Sequence, residues 1–117
     1  MAEIRVLLVD DDPDVLELTA ELMGLGGYTA VPVASAEAAL ELLAGSEPFA
    51  AMLTDQSMPG MSGEELVVQA RRLRPAMPCL LVTGFGASLE TAIAVKVLRK
   101  PFRANVLNAT LREMIGA

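Results

Sequence analysis

An α/β fold, a doubly wound and mostly parallel sheet of five strands, is what this sequence predicts, and three observations carry the expectation. Five short apolar runs of strand length recur along the chain, and amphipathic helical patterns lie between them. Two of the runs, within residues 6–9 and 52–54, lack polar alternation and should be covered on both faces, in the middle of the sheet. Parallel neighbours need crossover connections, and crossovers are almost all right-handed, so a β/α alternation in this order leaves few other architectures.

The elements justify themselves in turn. Ile4–Val9 (IRVLLV) is the first strand. Asp12-Pro13, an acidic cap with proline at the first helical position, opens a helix whose apolar stripe is expected to be Val15, Leu18, Leu22 and Leu25, with Gly26-Gly27 as the stop. Residues 29–33 (TAVPV) give the second strand, and behind Ser35 the residues Ala36, Ala39, Leu40 and Leu43 repeat at helical spacing. Residues 49–54 (FAAMLT) form the third strand. The next helix starts on a capping box, Ser62 with Glu65, and turns Leu66, Ala70 and Leu73 one way until Pro75. Residues 79–83 (CLLVT) and 95–98 (VKVL) are the fourth and fifth strands, and Val106, Leu107, Thr110, Leu111 and Met114 mark the last helix. No repeat, low-complexity tract or linker interrupts the order.

Composition limits the function. A chain of 117 residues, 53% hydrophobic, is expected to form one domain, 1–117, with a sizeable core. A net charge of -6 with only nine scattered Lys and Arg argues against direct nucleic-acid binding. No apolar stretch approaches the roughly 18 residues of a membrane span, and the start lacks the basic flank and apolar core of a signal peptide, so the expected location is the cytoplasm, away from membranes. The single cysteine, Cys79, sits in an apolar run and is read as a small buried hydrophobe. Histidine is absent, which removes Ser-His-Asp triads, Cys-His pairs, histidine-bound zinc and phosphohistidine from what this chain can build. Any metal chemistry here is oxygen chemistry.

In doubly wound sheets ligands bind beyond the carboxyl ends of the strands, where the winding direction switches. After the first strand comes Asp10-Asp11-Asp12, after the third Asp55, at the end of the fourth Thr83 and Gly84, and after the fifth Lys100-Pro101. Taken singly each has a plain structural use: the acidic run as a helix cap, Asp55 as the opening of a turn, Thr83 as a strand end, Lys100 as a solvated charge. Together they converge on one edge. Crowded carboxylates there need raised pKa values or a bound cation, and a hard divalent ion such as Mg²⁺, which keeps water and phosphate oxygens in its shell, suits the inventory.

The segments VLLVDDDPDV, MLTDQSMPGMSG, LLVTGF and LRKPF resemble those of receiver domains of two-component signalling, the phosphoacceptor modules of response regulators, over essentially the whole chain. The resemblance implies a flavodoxin-like sheet of strand order 2-1-3-4-5. It implies Mg²⁺ held directly by Asp11, through water by Asp10, by Asp55 and by the backbone carbonyl of Ser57, with Asp12 a cap rather than a ligand. Asp55 becomes the phosphoacceptor, Thr83 the switch hydroxyl and Lys100 the ammonium that pairs with the phosphoryl group, ahead of a cis Lys100-Pro101 bond. The donor is expected to be a phosphohistidine on a sensor histidine kinase or a histidine phosphotransfer protein. Such a domain assists its own phosphorylation and dephosphorylation without being a separate enzyme.

Departures from the family pattern are also legible. The aromatic side chain that often follows the switch hydroxyl inward is replaced by Val97. The span from Thr83 to Lys100 is short, so a fourth helix, expected within residues 87–94, should be shortened or irregular, a feature most like the receivers of hybrid sensor kinases. The alternative reading is a receiver-like interaction module that works without phosphorylation; it predicts the loss of an acidic or lysine member, and none is lost. A haloacid-dehalogenase-type phosphatase is disfavoured because Pro13-Asp14 follows the Asp10-x-Asp12 spacing, and a flavin carrier because no Ser/Thr/Gly-rich phosphate loop follows the first strand.

Overall fold

A computed structural model of the chain describes residues 3–84 and 91–116. The elements run β1 (Ile4–Val9), α1 (Pro13–Leu25), β2 (Tyr28–Val33), α2 (Ala36–Ala44), β3 (Ala51–Asp55), α3 (Gly63–Leu73), β4 (Cys79–Thr83), β5 (Lys96–Arg99) and α4 (Ala104–Ile115). All strand pairings are parallel, in the order β2-β1-β3-β4-β5. Fold class and strand order are those expected.

Alternation along the strands divides the core between two faces. Leu7 and Val9 of β1, Met52 of β3 and Cys79 of β4 point to one side, where Ala36, Ala39 and Leu43 of α2 and Leu66, Val67 and Ala70 of α3 cover them. Val6 and Leu8, Leu53, and Leu80 and Val82 point to the other, against Met23 of α1 and Leu107 and Leu111 of α4. Helices on both faces explain why β1 and β3 carry no polar alternation. β4 is buried along its whole length as well.

Local capping follows the sequence. Asp12 caps α1, its Oδ1 accepting from the N–H groups of Asp14 (2.9 Å) and Val15 (3.4 Å). Ser35 caps α2 through the Ala38 N–H. Ser62 Oγ accepts from the Glu65 N–H at 3.2 Å and donates to the Glu65 carboxylate, closing the expected capping box through the side chains.

The helical stripes needed correction. In α1, Leu18 and Leu25 are 57% and 78% exposed, whereas Thr19 and Met23 are buried and Leu16, Ala20 and Leu22 pack beside them. Two overlapping apolar stripes run along this helix, and the position of α4 and the sheet selects the one a residue further on. Leu73 of α3 and Val106 of α4 are likewise exposed, at 45% and 43%. Of the helix expected within residues 87–94, residues 87–90 lie outside the described residues, and residues 91–94 are not helical. The Lys100-Pro101 peptide bond is cis. Among the described residues no helix is long and apolar enough to cross a membrane.

Candidate functional site

Parallel strands end on the same edge, so the residues that close β1, β3, β4 and β5 meet there. The first crossover takes the chain from β1 to β2, and the second returns it past β1 to β3; the crevice between β1 and β3 is therefore the switch point. Asp55 is the last residue of β3, level with Val82 of β4 in the ladder, and the following N–H, of Gln56, bonds to the Val82 carbonyl at 2.9 Å. Its carboxylate is thus fixed by a fully buried strand. Asp10 follows β1, its Oδ1 accepting from the Asp12 N–H at 3.0 Å. Thr83 ends β4, and its carbonyl accepts from the Lys100 N–H at 2.7 Å, so the backbone ties β4 to the start of the lysine loop.

One oxygen from each of Asp10, Asp11 and Asp55 lies within 4.8 Å of the others; Asp10 and Asp55 are buried and Asp11 is exposed. Lys100 Nζ stands 2.9 Å from Asp55 Oδ1 and 3.3 Å from Asp10 Oδ2. At an effective dielectric constant of about 20, two carboxylate charges that close repel by about 3.5 kcal/mol or more. Three carboxylates against one ammonium leave a formal charge of -2 on a partly dry edge. A divalent cation would cancel it, and the donor set is all hard oxygen, so the residues present fit such an ion.

The titration of the central pair reflects that excess. Burial raises the Asp55 carboxyl above the usual carboxylate value; Lys100 opposes the rise, and the charges of Asp10 and Asp11 add to it. Burial alone would lower the Lys100 ammonium, but the hydrogen bond and charge of Asp55, with those of Asp10, prevail and hold it above its ordinary value.

The other expected members have definite places. Thr83 is 3% exposed, and its hydroxyl oxygen is buried without a hydrogen-bond partner among the described residues. Ser57 is exposed in the turn after Asp55, and Asp12 is engaged as the α1 cap, outside the carboxylate cluster. Cys79 is buried far along β4 from its carboxyl end, and burial pushes its thiol pKa up, away from the nucleophilic thiolate.

Two residues of the site escaped the sequence reading. Gly63 starts α3 against the backbone of Asp55 and Gln56: its N–H bonds to the Gln56 carbonyl at 3.0 Å, and a Cβ there would collide with the Asp55 carbonyl oxygen. Gln56 reaches forward so that its Oε1 accepts from the Glu64 N–H at 2.8 Å. The signal for the first was a glycine at the opening position of a helix, a poor helix former where better ones abound.

A doubly wound sheet with three carboxylates and a lysine gathered at its switch point marks an α/β protein whose site fits a divalent cation. The chain belongs to the response regulator receiver domain family, whose model matches residues 6–112. It is 41% identical over 119 residues to the response regulator protein FleR of Pseudomonas aeruginosa, covering 96% of this chain and 25% of FleR. To the sensor protein TorS of Escherichia coli it is 34% identical over 113 residues, covering 97% of this chain and 12% of TorS. The chain therefore spans a quarter or less of these two relatives. Among solved structures, a CheY-like receiver domain protein from Methanospirillum hungatei matches with a TM-score of 0.88 at 32% identity, over 98% of this chain and 95% of that one. The chain is a receiver domain of two-component signal transduction.

Proposed function

We propose that Asp55 accepts a phosphoryl group from a phosphohistidine on a sensor histidine kinase or histidine phosphotransfer protein, with Mg²⁺ bound by Asp10, Asp11, Asp55 and the Ser57 carbonyl. The observation that carries this reading is the Lys100–Asp55 contact of 2.9 Å beside two further carboxylates. Burying a carboxylate beside two like charges costs stability, which favours a functional over a purely structural use of Asp55. Mg²⁺, when held there, would supply positive charge toward the phosphoryl oxygens. Asp55, held by its strand, directs one carboxylate oxygen in line at phosphorus; the new O–P bond forms as the P–N bond to the imidazole breaks, and the imidazole nitrogen keeps the electron pair. Lys100 stays beside the acceptor and balances the charge that the phosphoryl group brings.

Thr83 supplies the readout. Its buried hydroxyl has no partner among the described residues, an arrangement that costs about 1–3 kcal/mol and is relieved when an acyl phosphate oxygen accepts from it. The same residues serve hydrolysis of the acyl phosphate, so the domain assists both its phosphorylation and its dephosphorylation.

Acetyl phosphate and Mg²⁺ test the assignment by intact-mass measurement. One labile phosphoryl group is expected on the wild type and none on Asp55→Asn. An unchanged wild-type mass would overturn the proposal in favour of an interaction module that works without phosphorylation.

A further inference from the structure

Residues 91–95, which lead into β5, are held by side chains of α3 rather than by a neighbouring strand. The Ala92 N–H donates to Glu64 Oε1 at 3.0 Å, and Arg71 Nη2 donates to the Ala94 carbonyl at 2.7 Å. Glu64 and Arg71 are seven positions apart, about two turns, and so share one face of α3. An acceptor meets an N–H and a donor meets a carbonyl, which is the pairing an adjacent strand would offer. Ile93 and Val95 pack against the same half of the core that α3 covers, and Thr91 Oγ1 closes a local turn on the Ile93 carbonyl at 2.6 Å.

This attachment begins at the acceptor. Glu64 is in the first turn of α3, whose Gly63 and Glu64 N–H groups bond to the carbonyl and side chain of Gln56, the residue after Asp55. It ends there too, since β5 runs from Lys96 to Arg99 and delivers Lys100 to Asp55. Resting on the phosphoacceptor assignment, we propose that Glu64 and Arg71 are positioning residues: a two-point clamp by which α3 holds residues 91–95, and which phosphorylation of Asp55 loosens. The physical reason lies in what can move. Gly63 leaves α3 no slack against the Asp55 and Gln56 backbone. Thr83, by contrast, gains a hydrogen bond by turning toward an acyl phosphate; its carbonyl accepts from the Lys100 N–H, which ties that movement to the end of β5 and so to the segment leading into it, and the surface-exposed bonds of the clamp are the weaker attachment.

Amide hydrogen exchange resolved by NMR tests both halves, with beryllofluoride and Mg²⁺ as the stable mimic of the acyl phosphate. Without the mimic, the Ala92 amide is expected to exchange about tenfold faster in Glu64→Ala than in the wild type, and Glu64→Gln, which retains an acceptor oxygen, should restore most of the protection. Arg71→Ala should also accelerate Ala92, since the two points hold one segment. With the mimic, wild-type Ala92 should approach the rate in Glu64→Ala, and that variant should change little. Equal Ala92 rates in wild type and Glu64→Ala without the mimic would overturn the clamp. A mimic that shifts the Thr83 amide but leaves wild-type Ala92 unchanged would overturn the coupling alone, whereas one that shifts neither would overturn the phosphoacceptor assignment and the coupling with it.

Discussion

Asp55 has a raised carboxyl pKa although an ammonium lies 2.9 Å away, because burial outweighs the pull of Lys100 and the charges of Asp10 and Asp11 add to the rise. A group whose folded-state pKa is raised binds its proton more tightly in the native state; its contribution to stability is full below the unfolded value and is lost as pH rises through the folded one. In Mg²⁺-free buffer the wild type should therefore lose stability relative to Asp55→Asn as pH rises from acid to neutral. Thermal melts of both proteins at pH 4 and pH 7 check this: the Asn variant should gain at pH 7 and the gap should narrow at pH 4. Lys100 obeys the same rule at the alkaline end, where its contribution is lost above its raised pKa. Thr83 gives a second residue-scale prediction. Replacing it by Val keeps the branched shape and removes the unpartnered hydroxyl, so Thr83→Val should be about 1 kcal/mol more stable in denaturant titrations while still taking a phosphoryl group.

At the scale of elements, α3 is the pivotal one. Its cap, its glycine and its first-turn glutamate each touch a different neighbour: Ser62 its own helix, Gly63 the Asp55 backbone, Glu64 the segment before β5. Ser62→Ala should cost about 1 kcal/mol, the usual loss for a missing cap, with phosphorylation retained. Gly63→Ala should cost more, about 1–3 kcal/mol, because the methyl meets backbone and neither the strand nor the helix can yield cheaply. It should also slow labelling by acetyl phosphate, since the strain falls on Asp55, the proposed acceptor. α1 offers a contrast: its cap was legible as Asp12-Pro13, but which of its two apolar stripes would be buried was not, because both satisfy a 3.6-residue period and only the docking of α4 separates them.

Across the whole molecule, the acidic edge links cation binding to global stability. Charge held at -2 in a crevice raises the energy of the native state without its ion, so millimolar Mg²⁺ should raise the melting temperature, by an amount equivalent to about 2.7 kcal/mol once free Mg²⁺ is a hundredfold above its dissociation constant. Asp11→Ala should abolish most of that rise. An identical rise in the variant would remove Asp11 from the ligand set. The excess of carboxylates is tolerated because the two-sided core holds the sheet rigid beneath them, with Leu7, Leu8, Met52, Leu66, Leu80 and Leu107 all fully enclosed.

What the sequence by itself determined was local: the period of each strand and helix, the caps at Asp12 and Ser62, and the residues standing at each strand end. From a parallel α/β order those end residues had to share an edge, so Asp10, Asp55, Thr83 and Lys100 could be grouped before any coordinate was known. Tertiary structure alone decided the distances between groups as far apart in the chain as Asp10 and Lys100, the buried stripe of α1, the contact of Gly63 with the Asp55 backbone, and the grip of α3 on residues 91–95. The reason is physical: periodicity and capping are set within a few residues of backbone, whereas burial and close approach depend on surfaces that meet only when the sheet is assembled.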